Sequence, residues 1–275
     1  MSQLLKKVVT GCANSNGAKI YFETCGEGPA LVFVHAGVAD LRMWDPQVEA
    51  LASRYQVIRY DHRGFGKSTM PEESFALRDD LLAVMQHLGI REAALVGCSM
   101  GGATAIDFAI EHPEMVTALV PVGAGLSGWN DWSPQSVKLF TEMMELAKKG
   151  DSDAAFEISA RYWIDGPTRD LARVDPKYRA RAMQLYKENF SLEFFKRTET
   201  VLDPPAVGRL KEIKCPTMVL IGDSDAEDLL KIARKLIDEI PGASMTTIEN
   251  AAHLPSLEHP AEFNHLLGGF LANLN

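Results

Sequence analysis

The chain has 275 residues, 46% hydrophobic and 24% charged, the balance of a folded globular protein with room for one large α/β domain. Asp and Glu outnumber Lys and Arg by 37 to 28, and the formal charge is −9. No basic run exceeds two residues, so a nucleic-acid partner is not expected. The beginning of the chain carries no secretory pattern and no uncharged run reaches membrane-spanning length, so no membrane association is expected. The four cysteines, Cys12, Cys25, Cys98 and Cys215, lack C-x-x-C spacing and read as free thiols of a reducing, cytoplasmic compartment, with no metal expected on them.

In chain order, Val8–Thr10 and Lys19–Thr24 predict two antiparallel strands around the turn Asn14-Ser15-Asn16-Gly17. Ala30–Val34 is a continuous apolar run, as in a strand buried on both faces, and it ends in His35-Ala36-Gly37. A helix is expected over Asp45–Ser53 and a strand over Gln56–Tyr60, which opens into the glycine-rich loop Asp61–Ser68. Ser74–Leu88 reads as an amphipathic helix capped by Ser74. Ala93–Gly97 is a strand, and Val116–Val122 another.

From Leu126 to about Gly208 the strands vanish and helical stretches appear at Ser136–Lys149, Ser152–Trp163, Pro176–Asn189 and Leu192–Thr200. The expected organisation is therefore a core domain of residues 1–125 and 209–275, with residues 126–208 inserted as a helical cap, or lid. Thr217–Ile221 resumes the sheet, followed by a helix at Asp228–Ile240, a strand at Ser244–Ile248 and a last helix at Glu262–Leu274. Alternating strands and helices imply a mostly parallel central sheet flanked by helices, an α/β fold.

The chemistry centres on Gly97-Cys98-Ser99-Met100-Gly101, where a buried strand ends, a serine stands at the apex and an alanine-rich helix begins. A strained strand–turn–helix with glycines two residues either side exposes a serine hydroxyl beside unpaired helix N–H groups. That pattern is a nucleophile elbow. A serine hydroxyl needs a base. Of seven histidines, His253 lies in Asn250-Ala251-Ala252-His253, after the last strand and before the last helix, where open parallel sheets place their sites. The base needs a carboxylate to hold its tautomer. The turn Gly222-Asp223-Ser224-Asp225, with Glu227 and Asp228 beyond it, offers four. The turn after the preceding strand, Gly123-Ala124-Gly125, offers none. Cys98 should point away from the Ser99 hydroxyl, because successive strand residues face opposite ways, and it reads as packing.

Together these stretches resemble the α/β-hydrolase fold superfamily, in its serine esterase and enol-lactonase-like branch. The order Ser99, Asp225, His253, each after a strand, matches the superfamily, as does Asp61-His62-Arg63-Gly64-Phe65-Gly66-Lys67-Ser68 to D-x-R-G-x-G-x-S. His35-Ala36-Gly37 looks like the H-G-x oxyanion segment, with alanine where glycine is usual. The resemblance implies Asp225 as the acid, with Asp223 as second choice. It implies oxyanion donors at the N–H of Met100 and of Gly37, with Val38 the alternative to Gly37; such donors are worth roughly 3 kcal/mol each. It assigns Asp61, Arg63 and Ser68 to structure, and its dehalogenases and epoxide hydrolases carry aspartate where this chain has Ser99. The expected activity is hydrolysis of a small to medium carboxylic ester through an acyl-serine, without cofactor or metal, by a monomer or homodimer. Enol-lactonases, carbon–carbon bond hydrolases and perhydrolases share the triad, and a ligand receptor on the same fold is the alternative of another class. Candidate pocket residues are Val38, Trp129, Trp132 and Trp163, and Arg161, Arg169 and Arg173 offer a clamp for an anionic group.

Overall fold

A computed structural model of the chain describes residues 8–191 and 199–274. Eight strands form one sheet: β1 (Val9–Ser15), β2 (Ala18–Cys25), β3 (Ala30–Val34), β4 (Gln56–Tyr60), β5 (Ala93–Cys98), β6 (Val116–Val122), β7 (Met218–Gly222) and β8 (Ser244–Ile248). Their order across the sheet is β1-β2-β4-β3-β5-β6-β7-β8. The β1–β2 and β2–β4 pairs are antiparallel and all others are parallel. The first hairpin closes on Asn16-Gly17, both at positive φ (39° and 78°), the geometry that Asn-Gly tolerates best.

The helices are α1 (Asp45–Leu51), α2 (Leu77–His87), α3 (Met100–Glu111), α4 (Pro134–Lys149), α5 (Ser152–Trp163), α6 (Pro176–Asn189), α7 (Glu227–Glu239), α8 (Pro255–Glu258) and α9 (Pro260–Ala272). Strand side chains alternate between the two faces. Leu31 and Phe33 pack with Val48 and Leu51 of α1 and with Phe263 and Leu267 of α9. Val32 and Val34 pack on the other face with Leu81 of α2, Ile106 of α3 and Ile232 of α7. Helices on both faces account for strands that are apolar at every position. None of the described helices is long and apolar enough to cross a membrane.

β3 has β4 on one side and β5 on the other. The chain's progress across the sheet reverses there, and a crevice opens outside the carboxyl ends of β3 and β5 at such a point. Ser99 follows β5 and Gly37 follows β3. α4, α5 and α6 all lie between β6 and β7 in sequence. α4 is capped by Ser133, whose hydroxyl accepts the N–H of Ser136.

One expectation needs correction and one lies largely outside the described residues. α2 begins at Leu77 with Ala76 before it, and Ser74 does not cap it. The Ser74 carbonyl instead accepts from Asn16 Nδ2 at 2.6 Å, so the segment entering α2 is pinned to the first hairpin. The expected helix over Leu192–Thr200 falls mostly at residues 192–198, which lie outside the described residues, as do Phe194 and Phe195. Glu199 pairs with Phe75 as an isolated parallel bridge.

The glycine-rich loop after β4 is held by its own polar groups. Arg63 and Asp80 form a fully buried ion pair at 2.5 Å, and Arg63 lies over the Phe75 ring. Ser68 Oγ donates to Asp61 O and accepts the N–H of Tyr21. The Asp61 carboxylate accepts the N–H groups of Leu41 and Lys67 and is only 2% exposed.

Burial raises the Asp61 carboxyl from 3.8 to about 6, against the two backbone donors that lower it. The folded state therefore prefers the protonated acid. That contribution is complete below the unfolded pKa and is lost as pH rises through 6. Urea unfolding of the native chain and of Asp61→Asn, which cannot ionise, should show the native chain losing about 3 kcal/mol relative to the variant between about pH 3 and about pH 7. Parallel pH curves would contradict this account of the loop.

Candidate active site

Ser99 stands between β5 and α3 with φ 54° and ψ −117°, a conformation that side chains rarely adopt. Its N–H donates to Val122 O and its carbonyl accepts from Ala103 and Gly125, so the turn is fixed from three directions. The flanking glycines are required by contact. A β-carbon on Gly97 would lie 2.2 Å from Gly101 O, and one on Gly101 would lie 2.3 Å from Val34 O.

The acid turn after β7 and the histidine loop after β8 meet at this end of the sheet. Both oxygens of Asp225 lie 3.1 Å from His253 Nδ1, and the two side chains are 1% and 2% exposed. A carboxylate only accepts, so Nδ1 carries the proton and Nε2 keeps its lone pair. Asp225 is further oriented by the N–H of Ala226 at 2.8 Å. Asp223, the other candidate, is exposed and accepts only from Ser224 Oγ. Asp228 has a different use: its carboxylate accepts from the Ser133 N–H at 2.6 Å and from the Ser133 and Ser136 hydroxyls, so it ties α7 to the start of α4.

The pair lies next to the elbow. Cys98 Sγ contacts His253 O at 3.5 Å, and a β-carbon built on Gly123, at the end of β6, would stand 2.7 Å from Asp225 Oδ2. Among the described residues no hydrogen bond joins Ser99 to His253. Catalytic contacts of this kind tighten when substrate arrives. On the far side, Trp163 at the end of α5 places its ring 4.7 Å from the imidazole of His253.

The turn after β3 lies against the residue that follows Ser99. Met100 opens α3, so the helix supplies no acceptor for its N–H. Gly37 lies against Met100, whose Sδ would be 3.7 Å from a β-carbon there. The turn carrying Gly37 is closed by Ala39 N–H on Ala36 O at 3.1 Å. It is also braced by His35, the first residue of the segment that resembles H-G-x. His35 Nδ1 lies 2.8 Å from Ala36 O and its Nε2 accepts the N–H of His62 at 2.9 Å. Burial lowers His35 to about 4, so it is neutral and holds this single tautomer. Burial also lowers His62, whose ring packs edge-on to that of His35.

The remaining predicted residues divide. Val38 is 7% exposed and belongs to the apolar core on the α1 and α9 face of the sheet. Trp129 is half-buried against Leu126 and Tyr162 in the other cluster. Trp132 is exposed and packs edge-on to Phe140 of α4. The three arginines suggested as a substrate clamp are bound to the protein itself: Arg161 to the Gly166 and Arg169 carbonyls, Arg169 to Asp165 O, Asn250 O and Glu258, and Arg173 to the Asn250 side chain.

The family model of the alpha/beta hydrolase fold matches residues 29–260. The chain belongs to this family. It is 28% identical over 263 residues to a putative carbamate hydrolase, RutD, of Caulobacter sp. (strain K31), covering 92% of this chain and 96% of that protein. It is also 28% identical to the 2-hydroxy-6-oxononadienedioate/2-hydroxy-6-oxononatrienedioate hydrolase of Escherichia coli (strain K12), covering 92% and 91%. Among solved structures it is similar to Est816, described as an N-acyl homoserine lactone degrading enzyme, with TM-score 0.77, 28% identity and coverage of 94% and 99%. The relatives are thus hydrolases of differently named substrates.

Cys98 sits beside Ser99, but its thiol is fully buried, and burial pushes its pKa well above the ordinary thiol value. Iodoacetamide should label the exposed Cys12 in the native protein and reach Cys98 only on unfolding. Cys98→Ala should keep turnover within about threefold, the scale of one weak hydrogen bond. Rapid native labelling of Cys98 would contradict its role as packing.

Proposed function

We propose that this protein is a serine hydrolase that cleaves small to medium carboxylic esters through an acyl-Ser99 intermediate. The observation that carries the reading is the Asp225–His253 contact at 3.1 Å, which leaves Nε2 as the lone-pair nitrogen of a loop that touches Cys98, the residue before a serine held at φ 54°.

In this reading His253 Nε2 takes the Ser99 hydroxyl proton as Oγ attacks the ester carbonyl carbon. The carbonyl oxygen becomes an oxyanion that accepts from the Met100 and Gly37 N–H groups. Collapse breaks the bond to the alkoxy oxygen, and His253 returns its proton to the leaving alcohol. Water then attacks the acyl-Ser99 carbonyl, with His253 again the base, and releases the acid and the free serine. Asp225 stays ionised and holds Nδ1–H throughout. The described residues of the 126–208 insertion serve as a lid, and Trp163 gives the site an apolar wall over the imidazole.

A second reading is a lactonase with the same triad, favoured by the similarity to Est816, since a lactone is a cyclic ester. The two differ only in whether the leaving alcohol remains tethered.

The test is release of p-nitrophenol from acetate through octanoate esters, with Ser99→Ala as blank. A burst equal to the enzyme concentration followed by steady turnover is expected, with no turnover by Ser99→Ala. Asp225→Asn should lower kcat by about 10⁴-fold, whereas Asp223→Asn should stay near the native value. Activity retained in Ser99→Ala, or lost in Asp223→Asn alone, would overturn these roles.

A further inference from the structure

The segment between α5 and α6 reaches across to the histidine loop through one buried ion pair. Arg169 Nη1 lies 2.7 Å from Glu258 Oε1, and the two side chains are 4% and 3% exposed. Glu258 is the last residue of α8, and its other oxygen accepts the N–H of Ala252 at 2.9 Å. Ala252 immediately precedes His253. One carboxylate therefore joins an arginine of the insertion to the backbone that carries the imidazole.

The same guanidinium makes a second contact with that loop. Arg169 Nη1 donates to Asn250 O at 2.5 Å, while its Nε donates to Asp165 O at 2.7 Å within its own segment. Asn250 stands at φ 55°, so the loop turns sharply where the arginine grips it. Its side chain is held as well, accepting from Arg173 Nη2 at 2.9 Å. Three consecutive features of the loop thus face the insertion: the Asn250 carbonyl, the Asn250 amide and the carboxylate under Ala252.

The segment approaches without a gap. Gly166 has φ +91°, and a β-carbon there would lie 2.9 Å from Ser224 O and 3.3 Å from the Ala252 methyl. Ser224 precedes Asp225. A single glycine therefore touches both the acid turn and the histidine loop. The segment is stiffened behind this contact: Arg179 of α6 forms an ion pair with Asp165 at 2.7 Å, and Tyr178 donates to Ile164 O at 3.1 Å.

We propose that Arg169 and Glu258 are positioning residues, which clamp the residues 165–173 segment of the insertion onto the 250–258 loop and thereby hold His253 in the orientation that meets Asp225 and Ser99. This inference rests on the reading of His253 as the base. Loss of either partner leaves an uncompensated charge in a buried site, and the loop must shift or admit water to relieve it. Misplacement of a catalytic group by about 1 Å costs on the order of 10²-fold in rate, with little effect on substrate binding made elsewhere.

The test compares Arg169→Met, Arg169→Lys and Glu258→Gln, each assayed well below its own melting midpoint. Arg169→Met should lower kcat by about 10²-fold with KM within about threefold. Its proton NMR spectrum should lose the downfield resonance of His253 Nδ1–H, identified in the native protein by its absence from His253→Gln. Arg169→Lys keeps the charge and should recover part of kcat and the resonance. Glu258→Gln keeps an acceptor for Ala252 without the charge and should fall between; should Arg169→Met not fold, Glu258→Gln decides alone. A lowered melting midpoint with kcat and the resonance unchanged would overturn the proposal and leave the pair a structural brace. If the native protein shows no turnover above Ser99→Ala, the reading of His253 as base fails, while the resonance still decides whether the pair holds the loop.

Discussion

Two close approaches of backbone govern the geometry of this protein: the start of α3 against the end of β3, and the β5 strand end against the first turn of α3. Gly101 admits the Val34 carbonyl, and Gly97 admits the carbonyl of Gly101. With no β-carbon at either position, the chain turns within one residue, and that residue, Ser99, takes a conformation outside the ordinary range for its type. The strain is retained because Val122, Ala103 and Gly125 all bond the serine's backbone. Its consequence is positional: the serine stands at the start of α3, and Met100, the first residue of that helix, lies against Gly37 from the neighbouring strand end.

The insertion is fastened to this frame by charge as well as by apolar contact. Asp228 gathers the start of α4 through Ser133 and Ser136, and Arg169 reaches Glu258 under the histidine loop. Both carboxylates are nearly inaccessible to solvent, so their partners are required rather than optional. Trp163 completes the enclosure over His253. Arg161, Arg169 and Arg173, which the sequence offered as a clamp for an anionic group, are thus engaged in holding the insertion to itself and to the histidine loop.

Much of this was legible in the sequence because short-range chemistry fixes it. The strands that are apolar throughout, the glycines two residues either side of Ser99 and the Asn-Gly hairpin each have one good local solution. The choice between Asp223 and Asp225 had none: both follow the same strand end, and only the fold shows that one faces solvent and the other the imidazole. Ser74 looked like a helix cap because its type suits one, but a hairpin 58 residues away holds its carbonyl. Arg169 reads as part of a clamp for an anionic group and Asp228 as one of four acids crowding a turn, and Glu258 carries no signal. Their partners are distant in sequence, and spacing carries no record of them. His35 gave a partial signal, as a histidine before a tight turn, but its fixed tautomer depends on His62, also remote.

The central claim is that Ser99 is acylated. The most direct measurement is acid quenching during turnover of p-nitrophenyl butyrate, followed by proteolysis and mass spectrometry of the peptide that contains Ser99. A butyryl group on Ser99, formed at the rate of the p-nitrophenol burst and absent from Ser99→Ala, is the predicted result. Steady turnover with no adduct on that peptide, or with the adduct on another residue, would contradict it.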